Sequence, residues 1–290
     1  MCFHKKQFDV LAIEQKRHSA CLCAILLEHP AKEDKIMQTA EQIKREICDI
    51  GARIYQKGFV AANDGNISVK VGPNEFYCTP TGVSKGYMTP DMIIKVDAEG
   101  NKIEGALNPS SEIKMHMRVY RERPDVGAVV HAHPPIATAF AVCQKPLDKL
   151  ILPEAVLSIG TVPVCAYGTP SSMEVPDSLM PYIQDHDAFL LQNHGALSVG
   201  NTLTRAFFVM DEVEYFAKIT FYASMIGGMV EFGGENIDKL MDLRARMNIP
   251  GRHPGCGKPE GAIPGDVNPV SEEMIETVTK KVLTQLGMLK

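Results

Sequence analysis

Val126-Gly127-Ala128-Val129-Val130-His131-Ala132-His133 is the stretch that decides the fold, and it also carries the first sign of chemistry. A short valine-rich run of this kind reads as a buried strand. Alternate residues of a strand share a side, so His131 and His133 point into one site. A second apolar run, Ala188-Phe-Leu-Leu191, leads to a third imidazole, His194, followed by Gly195. Upstream, Pro109-Ser-Ser-Glu112 offers a carboxylate at the start of a helix. Three histidines and one glutamate make a zinc ligand set with one replaceable oxygen ligand, which points to metal-assisted catalysis. A single histidine at a strand end is more often structural. The His-x-His spacing and the third histidine before glycine together favour the metal.

Outward from this run, helical and extended patterns alternate. Ile36, Ile43, Ile47, Ile50 and Ile54 recur at three- to four-residue spacings and predict a helix over about 34–57, closed by Gly58. Asn66-Ile-Ser-Val-Lys-Val and Glu75-Phe-Tyr-Cys predict a hairpin across Gly72-Pro-Asn. A helix from Glu112 to Glu122 stops before Pro124. Strand 126–131, helix 134–143, strand 161–165, helix 172–184, strand 187–192 and a long helix 202–226 follow. This alternation predicts an α/β domain of layered α/β/α form. Short strands and hairpin-length links predict a mixed, largely antiparallel central sheet, and GxGxxG is absent. The Met and aromatic residues at 207–225 read as core packing of the long helix.

The 290 residues carry a net charge of −5, which argues against nucleic acid or an anionic membrane as the main partner. Eight scattered cysteines without a CxxC pair fit a reducing, cytoplasmic setting. The apolar run at 20–27 lacks a small-residue cleavage site and does not read as a signal peptide. Residues 1–31 read as an N-terminal extension and 32–247 as the main domain. Residues 248–270, with five prolines and five glycines, have linker composition. Residues 271–290 predict an amphipathic helix with Met274, Ile275, Val278, Val282, Leu283 and Leu286 on one stripe.

Several small-residue turns are unremarkable singly. Ser110 and Ser111 suit a helix N-cap, and their hydroxyls also suit a phosphate. Asp64-Gly65-Asn66 and Thr81-Gly82 are ordinary turn signals that suggest an anion cradle only in combination. His116, four residues after Glu112, is a rival ligand, for which a supporting or packing role is favoured.

Gly65-Asn66-Ile-Ser, Thr79-Pro-Thr-Gly82, Pro109-Ser-Ser-Glu112, His131-Ala-His133 and Asn193-His-Gly195 jointly resemble the class II aldolase/adducin family over about residues 36–228. The resemblance implies one Zn2+ per subunit held by Glu112, His131, His133 and His194. It implies a substrate phosphate held by Gly65, Asn66, Thr81, Gly82, Ser110 and Ser111. The implied reaction is reversible cleavage of a ketose 1-phosphate, here L-fuculose or L-rhamnulose 1-phosphate, into dihydroxyacetone phosphate and L-lactaldehyde. Glu112 carries the proton in that scheme, and a homotetramer is implied. The family's tyrosine acid has no counterpart here. Its place falls near Leu152-Pro153-Glu154, so the role falls to Glu154 or to a residue from elsewhere, the alternative being that Glu154 is an ordinary loop carboxylate.

The tail, 271–290, resembles the encapsulation peptides of bacterial microcompartment cargo and implies shell proteins as partners and a location inside such a compartment. Other readings stay open. One is a pentulose-phosphate 4-epimerase or thiopentulose-phosphate dehydratase on the same fold. Another is an adducin-like binding protein without activity, against which the intact ligand set argues.

Overall fold

Helix α1, Ala40–Gln56, buries Ile47, Ile50 and Ile54 on one face, as their spacing predicts. The computed structural model to which it belongs describes residues 38–255. Gly58 follows the helix at φ +72°, a left-handed conformation that glycine adopts without strain. The predicted hairpin is present as β1, Asn66–Gly72, and β2, Glu75–Cys78, paired antiparallel. Further along come β3, Ile94–Val96, β4, Lys102–Glu104, and helix α2, Ile113–Glu122. Strand β5, Ala128–Ala132, is buried at every position, and α3, Pro135–Val142, follows it. The remainder comprises α4, Pro153–Ser158, β6, Val164–Cys165, α5, Glu174–Ser178, β7, Ala188–Leu191, β8, Gly195–Gly200, α6, Leu203–Ile226, and α7, Gly234–Met247.

Among the described residues, eight strands form one sheet in the order β4-β3-β2-β1-β5-β8-β7-β6. All neighbours are antiparallel except β6 and β7. The sheet is therefore mixed and largely antiparallel, as expected. Helices cover both faces. Residues of α1, α3 and α6, including Ile50, Ala137 and Phe216, pack with Ile67, Val130 and Leu190. On the other face Met115 and Val119 of α2, and Val175 and Leu179 of the α5 region, pack with Val129, Phe189 and Leu197.

Four expectations need correction. The helix predicted at 172–184 stops at Ser178, because Pro181 disfavours helical backbone in the residue before it. The strand predicted at 161–165 is reduced to Val164–Cys165. The helix predicted from Glu112 begins at Ile113, with Glu112 rather than a serine as its first flanking residue. The aromatic residues of α6 are only partly core. Phe207 and Phe216 are buried, whereas Phe208, Tyr215, Phe221 and Tyr222 are exposed. The expected extension 1–31, most of the expected 248–270 linker and the helix predicted at 271–290 lie outside the described residues.

Candidate metal centre and phosphate cavity

β5 sits at the middle of the sheet, hydrogen bonded to β1 on one side and β8 on the other. Asn66 pairs with His131, and Ala132 pairs with Ala196. These backbone pairings fix His131 and His133 against the N-terminal end of α2, where Glu112 stands. His194 comes from the turn joining β7 to β8, in which Asn193 takes a left-handed φ of +56°. Asparagine tolerates that conformation better than most residues. His133 lies just beyond β5, its N–H donating to the Phe59 carbonyl at 2.8 Å. The chain then enters α3, whose first free N–H groups, on Ile136 and Ala137, donate to the buried Glu214 carboxylate. Burial pushes the Glu214 carboxyl up and those N–H groups oppose the shift.

The donor atoms converge. His133 Nε2 is 3.1 Å from His131 Nε2, and one ring nitrogen of each of the three histidines falls within a 4.8 Å group. Glu112 Oε2 is 3.4 Å from His131 Nε2, and Glu112 Oε1 is 3.1 Å from His194 Nε2. His131 Nδ1 lies 2.9 Å from the Ala196 carbonyl, which only accepts, so the proton sits on Nδ1 and Nε2 presents a bare lone pair. His133 Nδ1 faces Asp64 at 3.6 Å, which favours the same arrangement in the second ring.

These atoms crowd lone pairs together. Among the described residues, buried Glu112 Oε1 has no hydrogen bond of good geometry, despite its approach to His194. A cation between the donors removes this conflict. Donors around a tetrahedral zinc with bonds of about 2.05 Å stand roughly 3.3 Å apart, close to the three shorter separations here. Electrostatics agree. Burial alone would raise the Glu112 carboxyl, but His131, His194 and the Asn66 amide hold it well below the usual carboxylate range. Burial is also the main reason that His131 is lowered to about 3, keeping its ring neutral as a ligand requires.

A cavity of about 210 Å³ opens beside this cluster. Its lining includes Glu112, His133 and His194, together with Gly65, Asn66, Thr81, Ser110 and Ser111. Thus five of the six residues expected at a phosphate surround the cavity that reaches the imidazoles. Gly82 does not line it but supplies the adjoining turn at φ +73°. Asn66 Nδ2 donates to Glu112 Oε2 at 2.8 Å, so one side chain bridges the two halves. Glu154 is not among the lining residues. It is an exposed residue of the first turn of α4, near Glu212, whose carboxyl is raised first by burial and further by the Glu154 charge. His116 is buried behind the site, with its Nδ1 2.7 Å from Ser68 Oγ, which also contacts Tyr120 OH at 2.8 Å. It packs and does not join the donor cluster.

Sequence reasoning missed three side chains here. Asp64 appears only among the turns that combine into an anion cradle, and neither Lys85 nor Ser171 is singled out. Ser171 donates to Ser111 Oγ at 2.7 Å from a backbone at φ +69°. The turn composition of Thr169-Pro-Ser-Ser172 is the signal that could have found it.

Gly195 explains why small residues follow the third histidine. A Cβ there would stand 2.5 Å from His133 Cδ2 and 2.6 Å from the Ala132 carbonyl oxygen. Gly195→Ala is therefore expected to displace the His133 ring and weaken metal binding by roughly 10- to 100-fold, although no ligand is removed. Competition with a metal chelator measures this, and an unchanged dissociation constant would count against the arrangement.

Residues 45–221 match the model of the class II aldolase and adducin N-terminal domain, and the chain belongs to that family. It is a metal-dependent enzyme of the class II aldolase type. L-fuculose phosphate aldolase of Methanococcus maripaludis is 34% identical over 185 residues, covering 64% of this chain and 97% of the relative. The 3-oxo-tetronate 4-phosphate decarboxylase of Escherichia coli K12 is 32% identical over 186 residues, covering 62% and 87%. A solved L-fuculose 1-phosphate aldolase superposes with a TM-score of 0.64 at 30% identity, covering 71% of this chain and 97% of its own. Helices long and apolar enough to cross a membrane are absent among the described residues.

Proposed function

We propose that this enzyme is a zinc-dependent aldolase that cleaves L-fuculose 1-phosphate, and secondarily L-rhamnulose 1-phosphate, to dihydroxyacetone phosphate and L-lactaldehyde. The observation that carries the reading is the union of two donor sets in one cavity. Glu112, His133 and His194 stand on the same wall system as Thr81, Ser110 and Ser111. His131, His133, His194 and Glu112 would hold the ion. Bound there, zinc supplies a Lewis acid for the ketose oxygens.

The protein's own groups do the rest. Neutral hydroxyls of Thr81, Ser110 and Ser111 and the turn at Gly65 and Asn66 seat the phosphate and so fix which carbon faces Glu112. Glu112 is ionised in the resting site, and its carboxylate is the group placed to take a proton and return it to the carbon left when the carbon–carbon bond breaks. The Asn66 amide holds one carboxylate oxygen while that happens. Glu154, remote from the cavity of its own chain, acts on the aldehyde-side oxygen only if a neighbouring copy in the expected homotetramer receives it.

The decarboxylase relative favours a second reading, loss of carbon dioxide from a phosphorylated 3-oxo acid at the same centre. Assays of the purified enzyme with L-fuculose, L-rhamnulose and L-ribulose phosphates and with 3-oxo-tetronate 4-phosphate, each with and without chelator, separate the two. Chelator-sensitive cleavage of fuculose phosphate at the highest kcat/KM supports the aldolase. A higher value with the oxo acid replaces it.

We further propose that residues 271–290 address the enzyme to a microcompartment shell. The reading is supported by the Pro/Gly-rich 248–270 segment and the apolar stripe that follows it. Deletion after Gly265 should leave specific activity and assembly intact, while the tail fused to a fluorescent protein should enter co-expressed shells. Loss of activity on truncation would return the tail to the catalytic body.

A further inference from the structure

Lys85, on the short turn Lys85–Tyr87, is 1% exposed yet lines the cavity beside Thr81 and Asp64. Its Nζ donates to the carbonyl of Asn63 at 2.9 Å and to that of Val83 at 2.8 Å. Those carbonyls belong to the two turns that present Gly65-Asn66 and Thr81-Gly82. An ammonium has three N–H groups, and these bonds use two. The position is tightly held. α1 presses so close that a Cβ on Gly51 would stand 2.7 Å from the Lys85 carbonyl oxygen. Burial lowers the Lys85 ammonium to about 8, against the opposing pull of Asp64, because withdrawing this charge from water is unfavourable.

Charge balance shows what offsets that cost. Among the described residues Lys85 is the sole lysine or arginine lining the cavity, whereas Asp64 and Glu112 both bring negative charge. Thr81, Ser110 and Ser111 offer neutral donors that orient a phosphate without neutralising it. A phosphate monoester brings a further charge of about −1.5 to −2. We infer that Lys85 is the cation of the phosphate subsite, bracing both turns with two N–H groups and setting its charge and third N–H against the substrate phosphate. This rests on the reading of the cavity as a sugar-phosphate site. It does not depend on which bond is then broken, because aldol cleavage and decarboxylation of phosphorylated substrates need the same anchor.

The test uses the metal-loaded enzyme and inorganic phosphate as the probe, titrated by calorimetry. Lys85→Met keeps the aliphatic stem and removes the charge. It should raise the Kd for phosphate and the KM for the phosphorylated ketose by roughly 10- to 100-fold, far more than kcat falls. The preference for phosphorylated over unphosphorylated ketose should drop by the same factor, which a purely structural role would not cause. Lys85→Arg should recover much of the loss. Wild-type phosphate affinity in Lys85→Met overturns the inference while leaving the sugar-phosphate reading intact. Wild-type enzyme that binds neither phosphate nor phosphorylated ketoses overturns that reading itself. Should Lys85→Met fail to fold, wild-type crystals soaked in phosphate decide. Nζ within about 3 Å of a phosphate oxygen supports the assignment, and a bound phosphate beyond hydrogen-bond reach of Nζ overturns it.

Discussion

Replacing His131 and His133 together by alanine is expected to leave an enzyme without bound divalent metal and with activity reduced by at least about 10³-fold. The two rings supply two of the three convergent imidazole nitrogens, and their Nε2 atoms face each other at 3.1 Å. One imidazole and one carboxylate do not hold a structural-grade ion at neutral pH. Metal analysis of the purified variant, alongside turnover with and without added zinc, measures both consequences. Because His131 is fully buried, removing it also creates a void. His133→Ala alone, at the part-exposed ligand, isolates the metal effect from that packing loss. Full metal occupancy in the double variant would dismiss these histidines as the ligands.

Glu112→Gln is expected to lower kcat by roughly 10²- to 10⁴-fold with a much smaller change in KM. The amide matches the carboxylate in shape, and its oxygen can still accept from Asn66 Nδ2, which stands 2.8 Å from Oε2 in the native side chain. It cannot take up and return a proton. Exchange of solvent deuterium into dihydroxyacetone phosphate reads that proton step without the aldehyde partner, and it should slow in parallel with turnover. Near-normal exchange would take the proton from Glu112 and give it to another group.

Much of the fold is legible in the sequence because period and burial coincide. The isoleucines of α1, the two faces of β5 and the unbroken run of α6 each repeat a pattern long enough to be read. Elements without such a pattern were passed over. β3 and β4 have three residues each, and every residue of β4 is exposed. β8, Gly-Ala-Leu-Ser-Val-Gly, carries too many small residues to stand out, yet it lies beside β5 at the heart of the sheet. Its small side chains make sense only once His133 and α6 are seen packed against it.

The donor set was legible for a different reason. His-x-His at a strand end and Glu at a helix start are placed by local geometry alone. Asp64, Lys85 and Ser171 were not, since their roles depend on which turns meet in space. Asn63 and Lys85 are joined only because β1 and β2 bring their flanking turns together. The exposed aromatics of α6 show the reverse error. An apolar residue on a long helix is easily assigned to the core, but a single chain has too little core to cover every face of twenty-four residues.

His131 on β5 and His133, in extended chain just past its end, owe their common direction to strand parity. A strand offers two sides and nothing between them. Sliding β5 by one residue against β1 and β8 would turn both imidazoles toward the layer of α1, α3 and α6, far from Glu112. A molecule threaded this way would not be a slower enzyme but an inert one, unable to retain its ion. Metal retention therefore works as a proofreading mark on the finished sheet, separating correctly assembled molecules from mis-threaded ones. Drift in the surrounding turns alters how well substrate is held, whereas an inserted or deleted residue within Ala128–Ala132 erases the catalyst outright.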